Sequence, residues 1–210
     1  IDALTFIGSL MMLILAGNAL PSLAPEQAAE IERPMAVRWQ ALAPRQKRSL
    51  LLLPVLAAVG SPAMALLPAL AQHIEPDDAA GLALPLLFAR SMGQLCGPLL
   101  LNRESLSRYA GQNRLLLTCL GLFLLAYGTI PLLSVTLALA LVFIAHLASN
   151  IVFAAGTFSL LSSFQASQVS SASGKAWRWQ TASASLFTCI TALAADVLGP
   201  LQALYGVSGC

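Results

Sequence analysis

Six long apolar stretches, set apart by polar segments, constrain this chain more than any other feature. They run roughly over 3–21, 49–72, 81–101, 115–131, 135–161 and 181–204. A bilayer core of about 30 Å is crossed by about 20 helical residues rising roughly 1.5 Å each. The stretches fall around that length, the fourth being short and the fifth long. Backbone polar groups find no water in hydrocarbon, so a spanning segment must satisfy them as helix or closed barrel. Leu and Ala dominate these runs and strand-type alternation is absent, which argues against a barrel. The expected fold is all-α, a polytopic transmembrane helix bundle of about six spans. Composition agrees, with 58% hydrophobic and 10% charged residues. A typical soluble domain carries about a quarter charged residues, enough to cover its core.

The segments between the runs alternate in charge. Segment 23–48 carries Arg33, Arg38, Arg45, Lys47 and Arg48, and segment 102–114 carries Arg103, Arg108 and Arg114. Segment 162–180 carries Lys175 and Arg178, whereas segment 73–80 carries Glu75, Asp77 and Asp78 and no basic residue. Ten of the eleven Lys and Arg residues thus fall on one side of the membrane, and Arg90 lies inside a span. Basic loops stay on the cytoplasmic side, so those three segments are expected inside. Both ends of the sequence are then expected outside the cytoplasm. Pro25 and the Glu26, Glu30 and Glu32 cluster mark 23–48 as a connector, with a short amphipathic helix expected around 26–42.

Several function classes receive no support. No GxSxG, HExxH, P-loop or GxGxxG pattern occurs, so an enzyme is not expected. Two histidines, His73 and His146, fall short of a metal set, and no cofactor is expected. Cys96, Cys119, Cys189 and Cys210 show no CxxC pairing and read as small apolar residues. The net charge of +2 gives no reason to expect a nucleic-acid partner.

The informative residues are polar groups within spans. An ionisable side chain in hydrocarbon costs about 2.5–3.5 kcal/mol on insertion scales and normally faces a bundle interior or a wet cavity. Arg90 and Gln94 sit four apart on one face of the third span. Arg90 reads either as a contact for an anionic substrate group or as a structural charge partner. His146 and Asn150 share a face of the fifth span, which Thr157 extends. An imidazole titrates near neutral pH and suits proton coupling; the competing reading is an interhelical hydrogen bond. Asp196, in the outer half of the sixth span, reads as a partner for Arg90, a proton or cation site, or a solvated interface residue. Gly93-x-x-x-Gly97 permits close helix approach. Pro54, Pro62 and Pro68 imply a kinked or broken second span. Trp39, Trp177 and Trp179 read as packing and interface anchors.

Four stretches together resemble the major facilitator superfamily, in its bacterial efflux branch of siderophore and drug exporters. IDALTFIGSLMMLIL resembles the family's sixth helix, and the basic connector 23–48 its central cytoplasmic loop. SPAMALLPALAQHI resembles the seventh helix. RESLSRYAGQNRLLL resembles the second, degenerate copy of the family's basic loop motif, with Arg108, Gly111 and Arg114 at the recognisable positions. That copy lacks the usual Asp before its first Arg and has Asn113 at a normally basic position. The resemblance implies helices six to eleven of twelve. Residues 1–22 would end the N-terminal half, 23–48 would be the connector, and 49–210 would be a C-terminal bundle lacking its last helix. It implies a multi-pass protein of the bacterial inner membrane, working by alternating access as a proton-coupled antiporter that exports a small molecule such as a siderophore or drug. Its partners would be substrate, proton, the lipid bilayer and the remaining N-terminal half of the transporter. Arg90, Gln94, His146 and Asn150 would contact substrate, with His146 and Asp196 in proton coupling. A siderophore-linked importer and a non-transporting accessory or signalling subunit are the alternatives.

Overall fold

The computed structural model describes Met11, Ile14, Leu15 and residues 35–208. The expected first span at 3–21 therefore lies almost wholly outside the described residues, as does most of the expected helix at 26–42. The chain divides into two compact units, Ile1–Met35 and Ala36–Cys210.

The described chain is helical and contains no strand. Eight helices follow in order: α1 (Pro44–Ala65), α2 (Leu67–Ile74), α3 (Ala79–Leu99), α4 (Arg103–Tyr109), α5 (Asn113–Thr129), α6 (Val135–Ser163), α7 (Ala166–Leu198) and α8 (Pro200–Ser208). Short 3-10 turns occupy Trp39–Ala41 and Ile130–Leu132. Five spans are long and apolar enough to cross a membrane: Pro44–Ile74, Ala79–Leu99, Asn113–Leu132, Val135–Ser163 and Ala166–Leu198. Their number and order match the last five expected runs and point to a membrane protein.

Local chemistry sets the helix ends. Pro44 opens α1, where its fixed φ fits and its missing N–H costs nothing. The Ala43 N–H donates to Gln46 Oε1 at 3.1 Å. α1 stops at Leu66, two residues before Pro68, which has no N–H for the Met64 carbonyl. The Leu66 N–H turns back to the Pro62 carbonyl at 3.2 Å and the chain resumes as α2, so the second span is broken as its prolines imply. Asp78 caps α3 by accepting from the Gly81 N–H at 3.1 Å. Asn102 caps α4 by accepting from the Ser105 N–H at 2.8 Å.

Three expectations need correction. Segment 162–180 is not a loop: only Phe164 and Gln165 connect α6 to α7, and Lys175 and Arg178 lie on α7. The expected sixth span at 181–204 begins at Ala166 and ends at Leu198. Gly199 ends it at φ +91, a left-handed conformation that suits glycine, and Pro200 cannot donate to the Asp196 carbonyl. Within the described part of the expected 26–42 helix, only the turn Trp39–Ala41 is helical, and Arg38 is extended.

α1 packs chiefly on α7, and α3 chiefly on α6, with α5 against α6 and a further seam between α1 and α6. Gly93 and Gly97 carry the α3–α6 contact. A Cβ at Gly93 would collide with the Phe143 carbonyl, and one at Gly97 would come within 2.7 Å of the Leu147 carbonyl. α6 is lined on its buried side by small residues, among them Ala138, Ala145, Ala148 and Gly156. The main apolar core joins Leu67, Leu70, Leu86, Phe123, Tyr127, Ile130, Val142 and Leu204. Large apolar residues such as Leu84, Phe88, Leu125, Ile190 and Val197 face outward, as helices in lipid require.

A smaller core at the basic end joins Val37, Leu42, Leu50, Leu53, Leu160 and Phe164 to Ala172 and Ala176. It fixes the stretch before α1 onto α7. The Val37 N–H donates to Ser171 Oγ and Lys175 Nζ donates to the Val37 carbonyl, both at 3.2 Å. Trp39 and Trp179 meet edge to face at 5.5 Å, with Lys47 over the first ring and Lys175 over the second. A thiol-specific, membrane-impermeant reagent should label an Asp77→Cys variant from outside the cell and an Arg108→Cys variant only from inside. The reverse pattern would invert the orientation.

Candidate functional site: a cavity between two helix pairs

α6 and α7 are consecutive yet pack mainly on other partners, α6 on α3 and α7 on α1. Between the two pairs lies a cavity of about 380 Å³. Its walls come from α1 (Ala57, Gly60, Ser61), α3 (Gln94), α5 (Phe123), α6 (His146, Ser149, Asn150) and α7 (Trp177, Gln180, Ser185). Among the described residues, no Asp, Glu, Lys or Arg lines it.

Three of the four residues expected to contact substrate, Gln94, His146 and Asn150, meet at this cavity. Arg90 stands one turn before Gln94 on α3, half-buried and outside the lining. Its buried Nε has no hydrogen-bond partner among the described residues. Asp196 is exposed on α7 and forms no ion pair with Arg90; the ion pair found among the described residues is Arg108–Glu104 at 3.0 Å. Thr157 lies outside the cavity lining, and its buried hydroxyl is unpartnered. In the loop stretch, Arg108 and Arg114 are exposed, while the Gly111 carbonyl accepts from Arg48 Nη1 at 3.0 Å. His73 is exposed at the end of α2.

The His146 ring is nearly wholly buried, and Nε2 is 2.8 Å from the Tyr127 hydroxyl. Phe123 stacks against Tyr127 at 4.8 Å and meets the imidazole edge-on at 5.6 Å. One helix turn further, Asn150 Nδ2 donates to the His146 carbonyl at 3.0 Å and Ser149 Oγ to the same oxygen at 3.1 Å. His146 therefore makes an interhelical hydrogen bond and also borders the cavity. The pair is a single hydrogen bond whose direction follows the imidazole tautomer. Gln180 Oε1, also at the cavity, is buried with no donor against it among the described residues.

Tyr127, Trp177 and Gln180 are the site residues that sequence reasoning missed. Tyr127 stands near the end of an apolar run with no polar residue four positions away to mark a shared face. Trp177 and Gln180 lie in segment 162–180, whose polarity reads as a loop. No group of three or more His, Cys, Asp or Glu residues that could hold a metal occurs among the described residues. Cys96, Cys119 and Cys189 are free thiols.

Tyr127→Phe should lower stability by about 1 kcal/mol, the usual worth of an interhelical hydrogen bond within a membrane. A thermal unfolding series on the full-length protein, with His146→Phe and the double variant, checks this. Additive single effects would show that the two side chains do not interact.

Comparison with known protein families, characterised proteins and solved structures finds no match. Fold and site define the class: a chain whose described part is all-helical, with five helices long and apolar enough to cross a membrane, packed around a largely apolar cavity that carries a few uncharged polar side chains.

Proposed function

We propose that this chain is part of a secondary active transporter of the major facilitator type, resident in the bacterial inner membrane. It exports a small molecule, such as a siderophore or drug, in exchange for protons by alternating access. One observation carries the reading: Gln94, His146 and Asn150, from two helices, converge with Gln180 on one cavity inside an apolar bundle. Uncompensated polar groups are costly in hydrocarbon, and a bound molecule can satisfy them. The volume of about 380 Å³ lies within the range of small-molecule sites. The break before Pro68 fits the irregular helices that line transport pathways.

The Tyr127–His146 hydrogen bond favours a second reading, in which His146 is structural and the chain is an accessory subunit. Accumulation of a siderophore and of cationic and neutral drugs separates the two. The full-length protein is expressed in an efflux-deficient strain, with and without a protonophore. Reduced accumulation that the protonophore abolishes is expected of a proton-driven exporter. Increased accumulation would indicate an importer, and no change across the panel the accessory role.

A further inference from the structure

A second pocket, of about 370 Å³, opens at the basic end of the bundle, away from the cavity between the helix pairs. Its polar wall is Arg45, Arg48, Ser107, Ser159 and Ser162, and Phe158 supplies an apolar side. No acidic side chain lines it. Glu104, the carboxylate on neighbouring α4, is engaged by Arg108 at 3.0 Å. Two arginines and three serines therefore border one space with no acidic residue among its described lining residues, and the Ser107 and Ser162 hydroxyls donate to the Glu104 and Ser159 carbonyls at 2.8 and 3.4 Å.

The two arginines differ in how they are held. Arg48 donates through Nη1 to the Gly111 carbonyl at 3.0 Å and through Nη2 to the Ala110 carbonyl at 3.2 Å. Those bonds cap the end of α4 and fix the guanidinium against the pocket wall. Arg45, one turn earlier on α1, is exposed and makes no hydrogen bond or ion pair among the described residues. The cluster thus combines one immobilised cation with one free to close on a ligand. A guanidinium group matches the oxygens of a phosphate, which Arg recognises through paired N–H donors.

Position selects the source of that phosphate. Arg45 and Arg48 occupy the opening turns of α1, just before the apolar run Leu50–Leu53, of which Leu51 is exposed. Basic side chains at this depth stand level with lipid headgroups. We propose that this pocket binds the phosphate of an anionic lipid headgroup and so pins the α1–α4 corner of the bundle to the membrane surface. The inference is independent of any transport activity.

The test is native mass spectrometry of the full-length protein in an uncharged detergent, titrated with phosphatidylglycerol, phosphatidylcholine or inorganic phosphate. One saturable phosphatidylglycerol site is expected, weakening with salt and outcompeting phosphatidylcholine. Arg45→Gln should weaken that site about fivefold, since one basic residue near the surface contributes about that much. Arg45→Lys should restore most of it. Arg178→Gln, which removes a basic residue of the same end outside the pocket, should leave it unchanged. Because Arg45 holds no other group, its loss leaves the fold intact. Equal weakening by Arg45→Gln and Arg178→Gln would overturn the proposal in favour of a diffuse basic surface. Saturable binding of inorganic phosphate that displaces the lipid would overturn the lipid source.

Discussion

Replacing Gly93 with Leu is expected to prevent the bundle from assembling. Even a Cβ at this position would collide with the Phe143 carbonyl and approach His146 Cβ to 3.0 Å. The obstacle is backbone of α6, which cannot step aside as a flexible side-chain end can. Relief requires separating α3 from α6, and the contact at Gly97 opens with it. Overpacking of ordinary cores costs about 1–3 kcal/mol; a clash with backbone along a whole helix seam should exceed about 3 kcal/mol. That is a large share of the roughly 5–15 kcal/mol that holds a typical domain together. The measurement is the yield of monodisperse full-length protein by size-exclusion chromatography in detergent. A parent-like peak with an unchanged melting temperature would show that α3 and α6 do not meet at this glycine.

Gly60→Phe should do the opposite, preserving the fold and removing function. Gly60 lies on α1 at the cavity, and an added Cβ there meets only Phe123 Cζ, at 3.9 Å. The ring has open space to enter, beside the ring of Phe123. A helix-interior glycine is also a poor helix former, so the backbone loses nothing by the change. Under the transport function proposed above, filling the cavity should reduce transport by the full-length protein at least tenfold, while Gly60→Ala, which adds one methyl group, should transport like the parent. Parent-like transport by Gly60→Phe, at equal membrane abundance, would mean that substrate passes elsewhere.

The two glycines show what could be read before any coordinates. The Gly93-x-x-x-Gly97 spacing announced a close approach without naming the opposing helix. Gly60 carried no signal, because its role depends on the divergence of α6 and α7. The last five apolar helices were legible because hydrocarbon demands long apolar runs. Their ends were not, because polarity marks where a chain leaves the membrane rather than where its helix stops. α7 runs 33 residues from Ala166, and its first turns, rich in Ser, Lys and Arg, look like a loop when read by polarity. That error hid Trp177 and Gln180. Convergence of Gln94 with His146 and Asn150 on one cavity was foreseeable as a shared preference for the interior. The partner of His146 was not, since nothing in the spacing of Tyr127 assigns it to this imidazole. Arg48 was counted only as one more basic residue, yet it closes the turn after α4.

The opening turns of α7 have a mechanical consequence. Lys175 and Trp179 grip the Val37–Trp39 stretch, while Trp177 and Gln180, interleaved with them, wall the cavity. A rigid rod has a single angle of rotation. Any roll of α7 that withdraws Trp177 and Gln180 from the cavity also tugs the stretch ahead of α1, so the rod works as an axle bearing both fittings on the same few centimetres of shaft, scaled to ångströms.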